Sequence, residues 1–249
     1  MIARVLAVAA VLLAVAAAPA SAGAVSPQAA AALAKLLPTG YRTAAVLPCV
    51  LDGTGSRRFV AALVDTESDE PEKVVRLLYL DWKEGWTVLD SIEIAGRDAT
   101  VAPQFLSGIA VVTVGSAKLL YVYTTWSRGG SGSVNYHQFF DVIGDRLKRV
   151  KAFEHERMER GLLCLQNQRI YDASVVCSRG EKRGNAYVYS CYLDAREFTF
   201  DGDAVLETRG ERLEERTGNR FLGESYRNMS LRSVLERGGH FLPPPTPVQ

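Results

Sequence analysis

The sequence predicts a mainly β protein: antiparallel hairpin-rich sheets in a curved-sheet, sandwich or propeller-like arrangement, with a short N-terminal helix. Three observations carry that prediction. Short runs rich in Val, Leu, Tyr, Phe and Trp recur from residue 41 to residue 212, and these residue types suit a pleated, packed surface. Tight-turn residues separate them, as at Lys83-Glu84-Gly85, Gly115-Ser116 and Gly144-Asp145. The clearest helix start and stop signals stand together near the N-terminus.

The elements follow in order. Residues 1–22 have the form of an export signal: basic Arg4, an apolar run over 5–18, then the small residues Ala20-Ser21-Ala22. A membrane anchor is the alternative reading, but a spanning helix needs about 20 apolar residues. Pro19 and its small neighbours favour cleavage. No cysteine follows the expected cut, which argues against a bacterial lipid anchor. The expected destination is a bacterial periplasm or the medium outside, with no membrane span after cleavage.

Ser26-Pro27 then opens a short helix with a hydroxyl cap and a first-turn proline. Residues 29–37 continue it and Pro38-Thr39-Gly40 ends it, so 23–40 form a helix and linker. Candidate strands cover 41–51 and 59–64, and 73–82 pairs with 86–94 as a hairpin. A second group covers 108–114, 118–126, 134–143 and 146–153. A third covers 161–165, 170–177, 185–193, 197–200 and 204–212. Aromatic and polar positions partly alternate in 136–142, the pattern of a half-buried strand. After residue 211 the chain becomes charged and less periodic; a short helix is expected over 225–237, and 243–249 is a Pro-rich tail. The β-rich body therefore spans 41–242, divisible into 41–153 and 154–242. Three groups are fewer than the roughly four to eight blades of a propeller, so a closed ring is not expected.

Removing residues 1–22 leaves equal numbers of basic and acidic residues. That balance argues against nucleic acid, whose binding rests on an excess of Lys and Arg. Four cysteines remain: Cys49, Cys164, Cys177 and Cys191. In an oxidising compartment an even count favours two disulfides. All three pairings stay open, with buried thiols as the alternative. The spacing fits no zinc signature.

Residues 38–94 carry a family resemblance. Pro38-Thr39-Gly40-Tyr41, the apolar strand to Leu51, Asp52-Gly53-Thr54-Gly55 and Phe59-Val60-Ala61-Ala62-Leu63-Val64 resemble the opening of an FG-GAP/VCBS-type β repeat of exported bacterial proteins. Leu77-Leu78-Tyr79-Leu80 with Trp86-Thr87-Val88-Leu89, then the Gly-rich stretch from Trp126 to Gly132 before Tyr136-His137, extend the likeness to residue 153. The resemblance implies a calcium loop, and here the chain departs from it. Asp52 is kept, but Val50, Thr54 and Arg58 occupy the other ligand positions, whereas calcium needs six or more oxygens. A degenerate loop with no metal and no cofactor is the expectation.

Catalytic patterns fail on spacing. Gly129-Gly130-Ser131-Gly132-Ser133 begins like a nucleophile elbow, but Ser133 replaces the second flanking glycine and no helix follows. Asp52-Gly53-Thr54-Gly55 has a glycine inserted into the Asp-Thr-Gly of aspartic proteases, and no second loop matches it. The three histidines, His137, His155 and His240, include no pair four residues apart. Glu154-His155-Glu156 reads as part of a solvated charge run, and His137 as a structural or surface residue. Trp82, Trp86 and Trp126 with Tyr79, Tyr121 and Tyr123 suggest a sugar platform or, more simply, core packing.

No catalytic residue is assigned. The sequence points to an exported, non-catalytic binding or interaction module for an unknown protein or cell-envelope ligand. Trp126, Arg128 and Tyr136, around the Gly-rich hairpin, are the candidate contact residues. Two alternatives remain. One is a cell-envelope hydrolase with a dispersed site including His137 or His155. The other is a secreted enzyme inhibitor presenting the loop 179–184 between Cys177 and Cys191.

Overall fold

A computed structural model describes residues 27–49, 57–65, 75–94, 105–127, 133–156, 161–166, 168–177, 181–184, 186–219 and 240–241. The expected class is what it shows: antiparallel sheets and one short helix. The first sheet is a meander of β1 (Tyr41–Pro48), β2 (Arg58–Asp65), β3 (Val75–Trp82) and β4 (Trp86–Glu93), in that spatial order. The second repeats the plan with β5 (Phe105–Val114), β6 (Ala117–Ser127), β7 (Ser133–Ile143) and β8 (Arg146–Glu156). The third contains β9 (Gly161–Gln166), β10 (Arg169–Cys177), β11 (Glu181–Arg183), β12 (Ala186–Phe200), β13 (Val205–Asn219) and β14 (His240–Phe241). Its order is β11-β12-β10-β9-β14, with β13 also paired to β12.

The sheets are stacked face to face. Val60, Ala62, Val64, Leu77 and Tyr79 of the first sheet pack on Leu106, Ile109, Leu120, Val122 and Phe140 of the second. The opposite face of the second sheet, with Val114, Leu119, Tyr121, Phe139 and Phe153, packs on Leu163, Ile170, Phe198 and Val205 of the third. On the far side of the first sheet lies α1 (Pro27–Ala34). Its Leu33 joins Ala61, Leu63, Leu78 and Leu80, and Trp86 Nε1 donates to the Ala29 carbonyl at 2.6 Å. Helix, first sheet, second sheet and third sheet thus follow one another through the body.

This stacking explains the sequence pattern. Successive residues of a strand face opposite ways, so a strand covered on both sides reads as a continuous apolar run. Phe59-Val60-Ala61-Ala62-Leu63-Val64 in β2 is such a run. The expectation for residues 136–142 needs correcting for the same reason. Phe139 and Phe140 are adjacent, fully buried and face the third and first sheets respectively, so β7 is covered on both faces.

Two boundaries also move. The separate strands expected over 185–193 and 197–200 are replaced by the single long β12, which begins at Ala186, and β13 continues to Asn219 instead of ending at 212. The described ladders pair β13 with β12 alone, and an edge strand carries charge readily. Its charged sequence therefore did not end it. The β12–β13 turn is held by Asp201, whose carboxylate accepts from the backbone N–H groups of Asp203 and Ala204, each at 3.0 Å. Those bonds hold the carboxyl below the usual range.

The two ends of the stack differ. At one end the short turns after β3, β5, β7 and β12 stand together and are joined between sheets. Arg58 pairs with Asp145 at 2.9 Å, Leu147 N–H donates to Asp90 at 2.8 Å, Lys148 pairs with Asp203, and Gly115 N–H donates to the Gln168 carbonyl at 2.6 Å. Gly115 has φ +60°, and a Cβ there would meet the Phe200 carbonyl at 3.2 Å; glycine suits both demands. The strand ends joined by 66–74, 95–104, 128–132 and 157–160 stand at the opposite end, and those joined by 49–57 at the first. The expected signal peptide, the 225–237 helix, the Pro-rich tail and the Asp52 loop lie outside the described residues. No described helix is long and apolar enough to cross a membrane.

Candidate functional site: a polar seam between the second and third sheets

The contact between the second and third sheets changes character along its length. Near the tight turns it is apolar, with Leu119, Phe139, Phe153, Ile170 and Phe198. Towards the other end the same rows become polar, because positions two apart share a face. Leu119 gives way to Tyr121 and Tyr123 on β6, Phe139 to His137 and Asn135 on β7, Phe153 to His155 on β8, and Ile170 to Asp172 on β10. The register sets Tyr123 opposite His137 and Asn135 opposite His155.

These groups are bonded to one another. Tyr121 Oη lies 2.7 Å from His137 Nδ1, and Tyr123 O–H donates to Asn135 Oδ1 at 2.9 Å. His155 Nε2 lies 2.7 Å from Asp172 Oδ1. The His137 ring is 4.9 Å from Tyr123 and 5.1 Å from His155, centre to centre. Burial, with a smaller effect from neighbouring His155, pushes the His137 pKa down to about 3. Burial also raises the Tyr121 and Tyr123 hydroxyls above their usual range. At neutral pH the Tyr121–His137 contact is therefore between two uncharged groups, one donating and one accepting. His155 is only 4% exposed. In its neutral ring, donation from Nε2 to the carboxylate leaves Nδ1 as a lone pair, buried without a hydrogen-bond partner among the described residues.

The chemistry this arrangement supports is specific but limited. A histidine oriented by a carboxylate, with its second nitrogen a lone pair, has the form of a general base. No hydroxyl or thiol among the described residues bonds that nitrogen. His137 holds its neutral form far below neutrality and is unsuited to gaining a proton near pH 7. Two of the three pairs satisfy polar groups between neighbouring strands of the second sheet, and the His155–Asp172 bond ties that sheet to the third.

The placement of His155 corrects its reading as part of a solvated charge run. Glu154 is exposed, but His155 faces inward on the same strand, as alternation requires. His137 is largely buried in the seam and serves a structural pair. His240 stands on β14 opposite Leu165. Sequence reasoning missed Asp172, Tyr121, Tyr123 and Asn135 as a group. The readable signal was a carboxylate inside the apolar strand Ile170-Tyr171-Asp172-Ala173-Ser174-Val175-Val176.

The candidate contact residues divide. Trp126 stands opposite Val134, and Tyr136 opposite Thr124, so both occupy one face of the second sheet at the end carrying 128–132. Burial, then Glu154, raises the Tyr136 hydroxyl. Arg128 lies outside the described residues. The aromatic set does not assemble into one platform: Tyr79 and Tyr121 are core residues, and Trp86 packs edge-on against Phe59 at 5.1 Å. Trp82, whose ring centre lies 4.7 Å from that of Trp86, borders an open cleft of about 340 Å³ with Arg57, Asp81 and Lys83.

Cys49 corrects the disulfide expectation in part. It is a fully buried thiol among Val60, Ala62 and Val64 of the first sheet, whereas Cys164, Cys177 and Cys191 belong to strands of the third. A disulfide requires Cα atoms within about 7 Å, and the packing of Cys49 in a different layer removes it from the cystine candidates. Among the described residues no group of three or more His, Cys, Asp or Glu side chains is placed to hold a metal ion.

No protein-family model, curated protein or solved structure matches this chain.

Proposed function

We propose that the chain is an exported, non-catalytic binding or interaction protein that meets its partner at the end carrying the connection 128–132. The observation that carries this reading is the contrast between the two ends. One has its short turns tied across the sheets. At the other, Trp126 and Tyr136 belong to β6 and β7, the strands that the Gly-rich connection joins, and connections between strands are favoured contact sites. The partner is a protein or a cell-envelope ligand. The likeness to FG-GAP/VCBS-type repeats belongs to this proposal and rests on the residues that carry it. Recovery of partners from envelope extract, with the wild-type chain and a Trp126→Ala, Arg128→Ala, Tyr136→Ala variant as baits, tests it. Loss of a specific partner from the variant is expected; identical recovery by both baits would remove this surface.

A second reading has one observation in its favour. The His155–Asp172 bond, with His155 Nδ1 buried and unpartnered among the described residues, suits a hydrolase acting on envelope material. It requires that His155→Ala abolish release of fragments from purified envelope while the variant stays folded. Unchanged release would end it.

A further inference from the structure

We infer that Cys177 and Cys191 form a disulfide between β10 and β12, leaving Cys49 and Cys164 as thiols. The two cysteines are direct partners in the antiparallel ladder, at the last paired position of β10. Directly opposed residues in such a ladder have Cα atoms about 4.5 or 5.5 Å apart and share a face. Both spacings lie inside the range that a disulfide spans, roughly 4.4–6.8 Å. Register thus selects one pairing from those that the sequence left open. Cys164 stands opposite Tyr171 on one side and Phe241 on the other, and Cys49 is enclosed in the first sheet's core.

The chemistry is thiol–disulfide exchange. One thiolate attacks a disulfide supplied by a small-molecule or protein oxidant and displaces one of its sulfurs as a thiolate. The second cysteine thiolate then attacks the mixed disulfide and releases the other. Two protons and two electrons leave the pair, and the oxidant is reduced to two thiols. The product closes a short loop at the base of a charged hairpin. Arg183 pairs with Ala186 in the ladder beyond it, Gly184 adopts φ +63° at the tip, and Glu181, Lys182, Arg183 and Gly184 are all exposed. The ladder shifts by one residue between Cys177–Cys191 and Glu181–Val188. The cross-link therefore lies beside this change of register, and it braces the exposed finger from below. This inference does not depend on the proposed binding surface, which lies on the second sheet.

Peptide mapping tests it. Full-length protein, recovered from an oxidising compartment or refolded in a glutathione redox buffer, is alkylated without reduction and digested with trypsin. The expected product is peptide 170–179 joined to peptide 184–196, with alkylated Cys49 and Cys164. Serine variants at Cys177 or Cys191 should each leave the other alkylated and yield no other cystine. Reduction of the wild type should lower its melting temperature by about 6–12 °C, the effect of opening a loop this short in a domain of this size. Alkylation of both Cys177 and Cys191, or a link from either to Cys164, would overturn the assignment. An unchanged melting temperature on reduction would overturn the bracing role.

Discussion

The two faces of the second sheet invite comparison, because one strand, β7, contributes to both. Towards the first sheet it sends Phe140 among Val60, Leu77, Ile109, Leu120 and Val122, with one buried polar residue, Gln138, two positions away on the same face. Towards the third sheet it sends Phe139, then His137, then Asn135; the last two bond Tyr121 and Tyr123 of the neighbouring strand, while His155 of β8 bonds Asp172 across to the third sheet. Aliphatic contacts stabilise by burial with little demand on alignment. A hydrogen-bonded row is satisfied in one alignment only, and an unmatched buried polar group costs about 1–3 kcal/mol. The first contact supplies burial; in the second, the His155–Asp172 bond also ties the third sheet to the second.

The largest test of this comparison uses neighbouring residues. Phe139→Ala and Phe140→Ala, measured by denaturant unfolding, should each cost about 3–5 kcal/mol. A cost below about 1 kcal/mol for either would mean that one face of the second sheet is open.

Acid separates the two contacts next. The folded-state pKa of His137, about 3, lies below the unfolded value of about 6.5. The unfolded chain therefore takes up a proton first as pH falls. The associated stability is complete above about pH 6.5 and declines by about 1.4 kcal/mol per pH unit on the way down to the folded pKa. His137→Phe should flatten this part of the stability-versus-pH curve, and an unaltered slope would contradict the assignment. Asp172→Ala should cost about 1–3 kcal/mol by leaving the His155 donor unpaired. A double-mutant cycle with His155→Ala should return a coupling close to that cost; additive losses would place the two groups apart.

The smallest effect belongs to the contact between the first and second sheets. Asp145, which pairs with Arg58, is largely exposed, so Asp145→Ala should change stability by less than about 1 kcal/mol. A larger loss would mean that this aliphatic contact also depends on a polar tie.

The residues reveal the strands more readily than the layers. Arg76 interrupts the apolar run of β3, yet Leu77-Leu78-Tyr79-Leu80 still reads as a buried strand, and turns such as Gly144-Asp145 mark the hairpins. Which layer each face meets is a tertiary fact. Phe139 and Phe140 look alike in sequence, and only the stacking sends them apart. The seam was legible at single positions, as a histidine among aromatics at 137 and a carboxylate in an apolar strand at 172. Their association was not legible, because Asp172 lies 17 residues from His155 across a change of sheet. Likewise, the cysteine count suggested cross-links, but choosing Cys191 for Cys177 required a ladder register.

The most direct measurement is the imidazole NMR titration of His137 in the intact chain between about pH 8 and pH 4, which spans the ordinary histidine range. A second sheet enclosed on both faces, with its histidine bonded to Tyr121, predicts a neutral ring with unchanged shifts throughout that interval. A sigmoidal transition centred near about pH 6.5, the value of a solvated imidazole, would place the ring in water and contradict the enclosed sheet.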